Sequence, residues 1–268
     1  MYVAMKVVVV TGASAGIGLA VARECARRGH AVVLCARRAE LIAAAADGIR
    51  TAGGRALAVA ADVTVPEDME RLVRETIEAF GHLDVLVANA GIGYHDTFER
   101  TPVTVMRRLM DVNVMGTLWA ARAVAPHFLE RGSGHVIAVS SIVGRRGIAG
   151  SSVYSATKAA QAGLIEALRA EWAGTGLRAT AVYPISTATE FHATIKRDYG
   201  YEVKGLGPKQ SADSVARAIA ECIEHPRAEV YPYRRARLLS ILNVLWPGAA
   251  DRLVQKFSRK RLPDGGHA

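Results

Sequence analysis

The chain has 268 residues, half of them hydrophobic, and a formal net charge of +9. That length suits one large α/β domain with a sizeable core, and the lack of any apolar run of eighteen or more residues argues against a membrane-spanning helix. The three cysteines (Cys25, Cys35, Cys222) are scattered and form no CxxC pair, which argues against a metal site or disulfide framework and fits a reducing cytosol.

In chain order, the opening MYVAMKVVVV runs directly into TGASAGIG, with no charged leader or cleavage site between them. It reads as a buried strand rather than a signal peptide. Short, uniformly apolar runs then recur at 6–11, 31–36, 55–60, 84–88, 135–140 and 178–183. Strands covered on both faces of a parallel sheet have this character. Helix-period segments lie between them at 16–28, 38–51, 66–80, 103–130 and 153–174; Pro66 with Glu67 and Asp68 is a helix start. The alternation predicts an α/β fold, a doubly wound, Rossmann-like parallel sheet with helices on both faces. The expected division is a single sheet domain over 1–232, the part that carries the motifs read below, and a basic helical extension over 233–268.

The first strand ends in TGASAGIG, which places Gly12, Gly16 and Gly18, with Ser14 and Ile17, in a tight loop before the first helix. Glycines let backbone amides approach a pyrophosphate, and the positive end of the helix faces it. The spacing is G-x3-G-x-G rather than the commoner G-x-G-x-x-G, so the match is one of mechanism. After the second strand, where an acid would grip ribose hydroxyls, the chain has Arg37 and Arg38, a pair suited to a 2′-phosphate. The expected cofactor is therefore NADP(H); two solvated arginines are the alternative, disfavoured by the positive charge this puts at a helix start. Asp62 suits the adenine amino group, with Val63 beside the ring, and a capping role for Asp62 is compatible with that.

Tyr154 and Lys158 stand four apart on one helix, hence on one face. An ammonium near a phenol favours the phenolate and lowers its pKa, which would ready the tyrosine for acid–base work near neutrality.

Together these residues resemble the short-chain dehydrogenase/reductase family over roughly 5–230: TGASAGIG, Asp62-Val63, Asn89-Ala90-Gly91, Asn113, Ser141, Tyr154-x-x-x-Lys158, and Pro184 with Thr189. The resemblance implies that Tyr154 is the proton donor or acceptor, that Lys158 holds the nicotinamide ribose, and that Ser141 steadies the reacting oxygen. It selects Ser141 over Ser140. It also implies that Asn113 kinks its helix and holds a water linking the lysine to solvent. Asn89, Ala90, Gly91, Pro184 and Thr189 become cofactor contacts. The helices 103–130 and 153–174 become a homodimer interface.

The chain departs from the family in two places. Ile185 stands where a glycine usually follows the proline, and Ala88 begins the usual Asn-Asn-Ala-Gly. The expected substrate walls are 93–99, 142–152 and 188–209, the last bearing Phe191, His192, Tyr199 and Tyr201 as a closing segment. Arg145 and Arg146 read as a solvated loop, with contact to an acidic substrate as the alternative; Trp119 and Trp172 read as packing residues.

Between Arg234 and Arg261 stand eight basic residues and one acid, Asp251, so this segment carries +7 of the +9. Leu238, Ile241, Leu242 and Leu245 recur at helical spacing before Pro247, and Leu253, Val254 and Phe257 follow. Two basic amphipathic helices suit an anionic membrane surface, a cover over the substrate entrance, or packing on the body or a second subunit. No motif supports nucleic-acid binding. The length of chain after the last strand favours a dimer over the tetramer some relatives form, and the expected location is cytoplasmic, with peripheral membrane contact as one reading of the tail.

The leading expectation is an NADP(H)-dependent oxidoreductase acting on a hydrophobic ketone or alcohol. A 3-oxoacyl thioester reductase is the narrower alternative. A non-catalytic, membrane-associated NADPH-binding protein is the alternative from another class.

Overall fold

A computed structural model describes residues 4–188 and 209–258. Its centre is a seven-stranded parallel sheet: β1 (Val7–Thr11), β2 (Ala31–Ala36), β3 (Arg55–Ala60), β4 (Val85–Ala88), β5 (Gly134–Val139), β6 (Leu177–Val182) and β9 (Glu229–Val230), in the order β3-β2-β1-β4-β5-β6-β9. A two-residue parallel pair, β7 (Thr187–Ala188) with β8 (Gln210–Ser211), stands apart from it.

The central strands are apolar because helices cover both faces. On one face α1 (Gly16–Arg27), α2 (Ala39–Thr51) and α7 (Ala212–Glu224) bury Val21, Ile42, Ile49, Val215 and Ile219 against Val8, Val10, Leu34 and Ile137. On the other, α3 (Pro66–Phe80), α5 (Gly116–Arg131) and α6 (Ser152–Glu171) bury Met69, Leu72, Val124, Phe128 and Ile165 against Val9, Val33, Leu86 and Val136. Each wholly buried Leu, Ile or Phe among these stabilises the fold by roughly 1.5–3 kcal/mol of transfer free energy.

The sheet doubles back between β1, which pairs with β2 on one side, and β4 on the other. In open α/β sheets the crevice beyond the carboxyl ends at such a switch point is where ligands bind. The predicted helix over 103–130 is interrupted: α4 (Val103–Leu109) passes into a π-helical turn at Met110–Met115 before α5 begins. The tail forms α8 (Ala236–Leu245) and α9 (Pro247–Ser258), as the apolar spacing predicts. Thr189 and the wall segment with Phe191, His192, Tyr199 and Tyr201 lie outside the described residues.

Candidate active site

The glycine loop is shaped by contact. Gly12 has φ +67°, a left-handed conformation that favours glycine, and a Cβ on it would stand 2.8 Å from Ala90 Cα. A Cβ on Gly18 would stand 2.4 Å from the Gly12 carbonyl oxygen, so no side chain fits where α1 passes under the loop. Asn89 locks the loop to β4: its Nδ2 donates to Thr11 O (3.0 Å) and to Gly12 O (3.3 Å), while the Asn89 and Ala90 amides both donate to Thr11 Oγ1 (3.1 Å). Gly16 and the half-buried Ile17 open α1, and Gly91 follows Ala90 toward Asn113 and Lys158.

The arginines meet this loop. Arg38 donates through Nε (3.1 Å) and Nη2 (2.8 Å) to Ser14 Oγ, and the exposed Arg37 lies 3.7 Å from Asp62 Oδ2. Asp62 Oδ1 accepts from the Thr64 amide and hydroxyl, so it shapes the turn after β3 while facing Arg37. A cavity of about 530 Å³ opens here, walled by Arg37, Asp62, Thr64, Val112, Met115 and Trp119 among others. Trp119 is thus a wall as well as a packing residue. Val63 is buried, its side chain against Gly116, beneath this wall. Two cationic side chains beside a carboxylate, a serine hydroxyl and a cavity fit the phosphorylated ribose and base of a dinucleotide.

The acid–base residues arrive from separate elements. Ser141 ends β5 in extended conformation, and its hydroxyl accepts from the Val143 amide (3.3 Å) and is hydrogen-bonded to the Tyr154 hydroxyl. Tyr154 and Lys158 share a face of α6, with Lys158 Nζ 5.7 Å from the tyrosine ring centre. Ser140, the neighbour set aside, donates instead to Lys158 O (2.7 Å) and holds α6 against β5. Pro184 is buried, and its carbonyl accepts from the Ile142 amide (3.0 Å), which fixes the turn after Ser141.

Two features go beyond the sequence reading. Asn113 sits in the π turn, fully buried. Its Oδ1 accepts from the Ile92 amide (2.8 Å), and its Nδ2 donates to Ile92 O (2.9 Å) and Thr157 Oγ1 (3.0 Å). Its carbonyl is met by Gln161 Nε2 (2.8 Å), while Gln161 Oε1 accepts from Lys158 Nζ (3.0 Å), which also donates to Val139 O (3.0 Å). The Gln161 side chain therefore joins the Asn113 carbonyl to Lys158 Nζ directly. Gln161 lies one helical turn beyond Lys158 on the buried face of α6, and that i,i+3 spacing is the sequence signal that could have found it.

The second feature is electrostatic. The ammonium was expected to lower the Tyr154 phenol. Burial instead raises the phenol above its ordinary value, offset in part by the Ser141 hydrogen bond, and burial pushes Lys158 down to about 7. Loss of hydration disfavours both charged forms, and in this pair it outweighs their mutual attraction.

The walls predicted at 93–99 and 142–152 do meet. His95 Nδ1 lies 3.0 Å from Ser151 Oγ, both residues are buried, and Tyr94 is buried beside them. The arginine reading fails. Arg145 pairs with Glu166 (2.9 Å) and Glu229 and lies over the Tyr183 ring (4.8 Å), and Arg146 pairs with Asp251. Both are structural ties rather than solvated or substrate-facing side chains. Ile185, half-buried, accepts from Thr187 Oγ1 through its carbonyl (2.9 Å).

Comparison with known proteins agrees with this geometry. An uncharacterized oxidoreductase of Listeria monocytogenes is 37% identical over 228 residues, spanning 82% of this chain and 92% of its own. A glycine betaine reductase of Emericella nidulans is 40% identical over 224 residues, 81% of this chain but 18% of that far longer protein. Among solved structures, an alcohol dehydrogenase of Thermococcus sibiricus complexed with 5-hydroxy-NADP is 29% identical at a TM-score of 0.75, covering 85% of this chain and 96% of that one. A 3-ketoacyl-ACP reductase of Sinorhizobium meliloti is 31% identical at 0.75, covering 84% and 96%. A short chain dehydrogenase/reductase of Burkholderia phymatum in complex with NAD, 23% identical at 0.83 over 100% and 99%, shares the fold. The short chain dehydrogenase profile itself matches residues 6–200. With a Rossmann-like sheet, a glycine loop at its switch point and the Ser141–Tyr154–Lys158 set at its carboxyl edge, the chain belongs to the short-chain dehydrogenase/reductase family of oxidoreductases.

Proposed function

We propose that the protein moves hydride between NADP(H) and a hydrophobic ketone or secondary alcohol, with Tyr154 as general acid and base. The observation that carries this reading is the hydrogen bond between Ser141 and Tyr154, two hydroxyls from different elements held together beside a buried lysine. When bound, the dinucleotide supplies or takes up the hydride. Tyr154 gives its proton to a carbonyl oxygen in reduction and takes one from an alcohol in oxidation, while Ser141 donates to the same oxygen. Lys158, brought by burial close to neutrality, gains or loses a proton readily at the pH where this happens. Arg38 at Ser14 and Arg37 beside the cavity support NADP(H) over NAD(H).

Tyr154→Phe is the test. It removes the proton but keeps the ring, so turnover across a ketone panel should fall by at least about a hundredfold, with NADPH affinity retained. Activity within a few-fold of wild type would refute the assignment, and a wild-type protein that binds NADPH but turns over nothing would favour a non-catalytic role.

A second reading, reduction of a 3-oxoacyl thioester, is favoured by the likeness to a 3-ketoacyl-ACP reductase and by exposed Arg234, Arg235 and Arg237, which suit an acidic carrier. Short 3-oxoacyl thioesters assayed beside simple ketones separate the two by kcat/KM. A homodimer through the helices 103–130 and 153–174 is part of the proposal. Exposed Val103, Met110 and Leu129 support it, and sedimentation at micromolar concentration tests it.

A further inference from the structure

Helix α8 of the tail is amphipathic in an unusual sense: its apolar face is the one turned outward. Helix α8 keeps Ala236 and Ser240 against the body and exposes Leu238, Ile241, Val244 and Leu245, with Trp246 at its end. Val244 is 79% exposed, Leu238 66% and Trp246 64%. Leu238, Ile241 and Leu245 follow at i, i+3 and i+7 and so form one stripe. Arg234, Arg235 and Arg237 stand exposed at the start of α8, and Arg252 stands exposed on α9. The one acid of 234–258, Asp251, is held by Arg146, and among the described residues these four arginines pair with no carboxylate.

We infer that α8 and α9 form a docking surface for an anionic lipid bilayer. Apolar side chains rimmed by arginine and ending in a tryptophan match an interface of acyl chains beneath anionic headgroups. A second copy fits less well, because apposing two such faces brings arginine against arginine with no free acid to pair. A soluble acidic partner would engage the arginines but leave the stripe in water. Among the described residues no helix is long and apolar enough to cross a membrane, so the contact is peripheral. The surface is tied to the segment beside the candidate site: Asn243 Nδ2 donates to Arg145 O (3.2 Å) and Asp251 pairs with Arg146, both arginines following the Ser141 turn. The inference stands on this geometry whatever the enzyme reduces.

Flotation of the full-length protein tests it, using vesicles of phosphatidylcholine mixed with phosphatidylglycerol and vesicles of phosphatidylcholine alone. Two variants serve, Arg234→Ala/Arg235→Ala/Arg237→Ala and Val244→Ser/Trp246→Ser; all five positions are exposed, so the fold does not depend on them. Wild type should float with the anionic vesicles and at least about tenfold less with neutral ones. Each variant should lose about tenfold or more of that binding, while NADPH-linked activity on a water-soluble ketone stays unchanged. Equal binding to both vesicles, or full binding by either variant, overturns the inference. So does a wild type that ignores vesicles but forms an oligomer that Val244→Ser/Trp246→Ser disperses, since that outcome gives the face to a second copy.

Discussion

Gln161 shows how much of the chemistry rests on one side chain outside the motif. It spans from Lys158 Nζ to Asn113 O and also donates to Thr117 Oγ1 (2.7 Å). Gln161→Leu deprives the ammonium of an acceptor and should lower the Lys158 pKa further, whereas Gln161→Glu places a carboxylate beside it and should raise it by about one unit or more. The pH profiles of kcat/KM should therefore move in opposite directions. A role in packing alone would shift neither. The lysine also leaves a mark on stability. Its folded pKa of about 7 lies below its ordinary 10.5, so between those values the unfolded chain binds the extra proton. Stability from this group is present above 10.5, is lost as pH falls toward 7, and is level below that, with a slope of at most about 1.4 kcal/mol per pH unit. The buried thiols Cys25 and Cys35, raised to about 12, pull the other way as pH rises above their ordinary 9. Urea titrations of wild type and Lys158→Met at neutral and alkaline pH isolate the lysine: the difference between the two curves should grow with pH, and a constant difference would contradict its burial in neutral form. The arginines offer a third reading at this scale. Arg37→Ala/Arg38→Ala should raise KM for NADPH by at least about tenfold, the loss of one or two charge-assisted contacts, and leave KM for NADH nearly unchanged.

Among the elements, the π turn at Met110–Met115 is where the sequence alone says least. The apolar rhythm across 103–131 is continuous, and only the family resemblance at Asn113 marks a kink where the ladder slips by one residue. The slip is held by tertiary partners: Ile92 and Thr157 grip the Asn113 side chain, and Gln161 and Thr117 meet its carbonyl. Asn113→Ala leaves the Ile92 amide and carbonyl without their buried partner. It should cost about 2–4 kcal/mol, read as a lower urea midpoint at unchanged m-value. A cost under about 0.5 kcal/mol would mean that the turn holds itself. The strands and helices from β1 to β6 were legible because each carries its own signal, a short apolar run or a 3.6-residue period. β9 is two residues long, too short for any period. α7 is different: Val215, Ala216, Ile219, Ala220 and Ile223 bury one face at helical spacing, a pattern open to reading once the chain past Tyr183 is treated as more sheet-and-helix. Of the site, the motif residues were legible by type and spacing. The His95–Ser151 contact, the ion pairs of Arg145 and Arg146 and the reach of Gln161 to Asn113 were not, because each joins segments far apart in the chain.

For the whole molecule the decisive feature is how lightly the charged tail is attached. Residues 234–261 hold +7 of the net +9, and like charges concentrated in one short stretch of chain repel one another. Against this stand the Arg146–Asp251 pair, the Asn243 bond to Arg145 O, and the burial of Ala236, Ser240, Ala250 and Val254. Half-exposed ion pairs contribute about 0–1 kcal/mol, and of the four buried side chains only valine is larger than a methyl or hydroxymethyl group. The central strands, by contrast, are buried on both sides and open only with global unfolding. Amide exchange should therefore separate the two: α8 and α9 should exchange at least about a hundredfold faster than β1 and β4. Arg146→Ala should speed the tail by up to about fivefold, the loss of one exposed pair, without touching the sheet. Were the tail as protected as β1, the attachment would be far stronger than its contacts account for. Were Arg146→Ala to speed exchange in the sheet as well, the tail would be part of the cooperative core, not a lightly held platform beside the site.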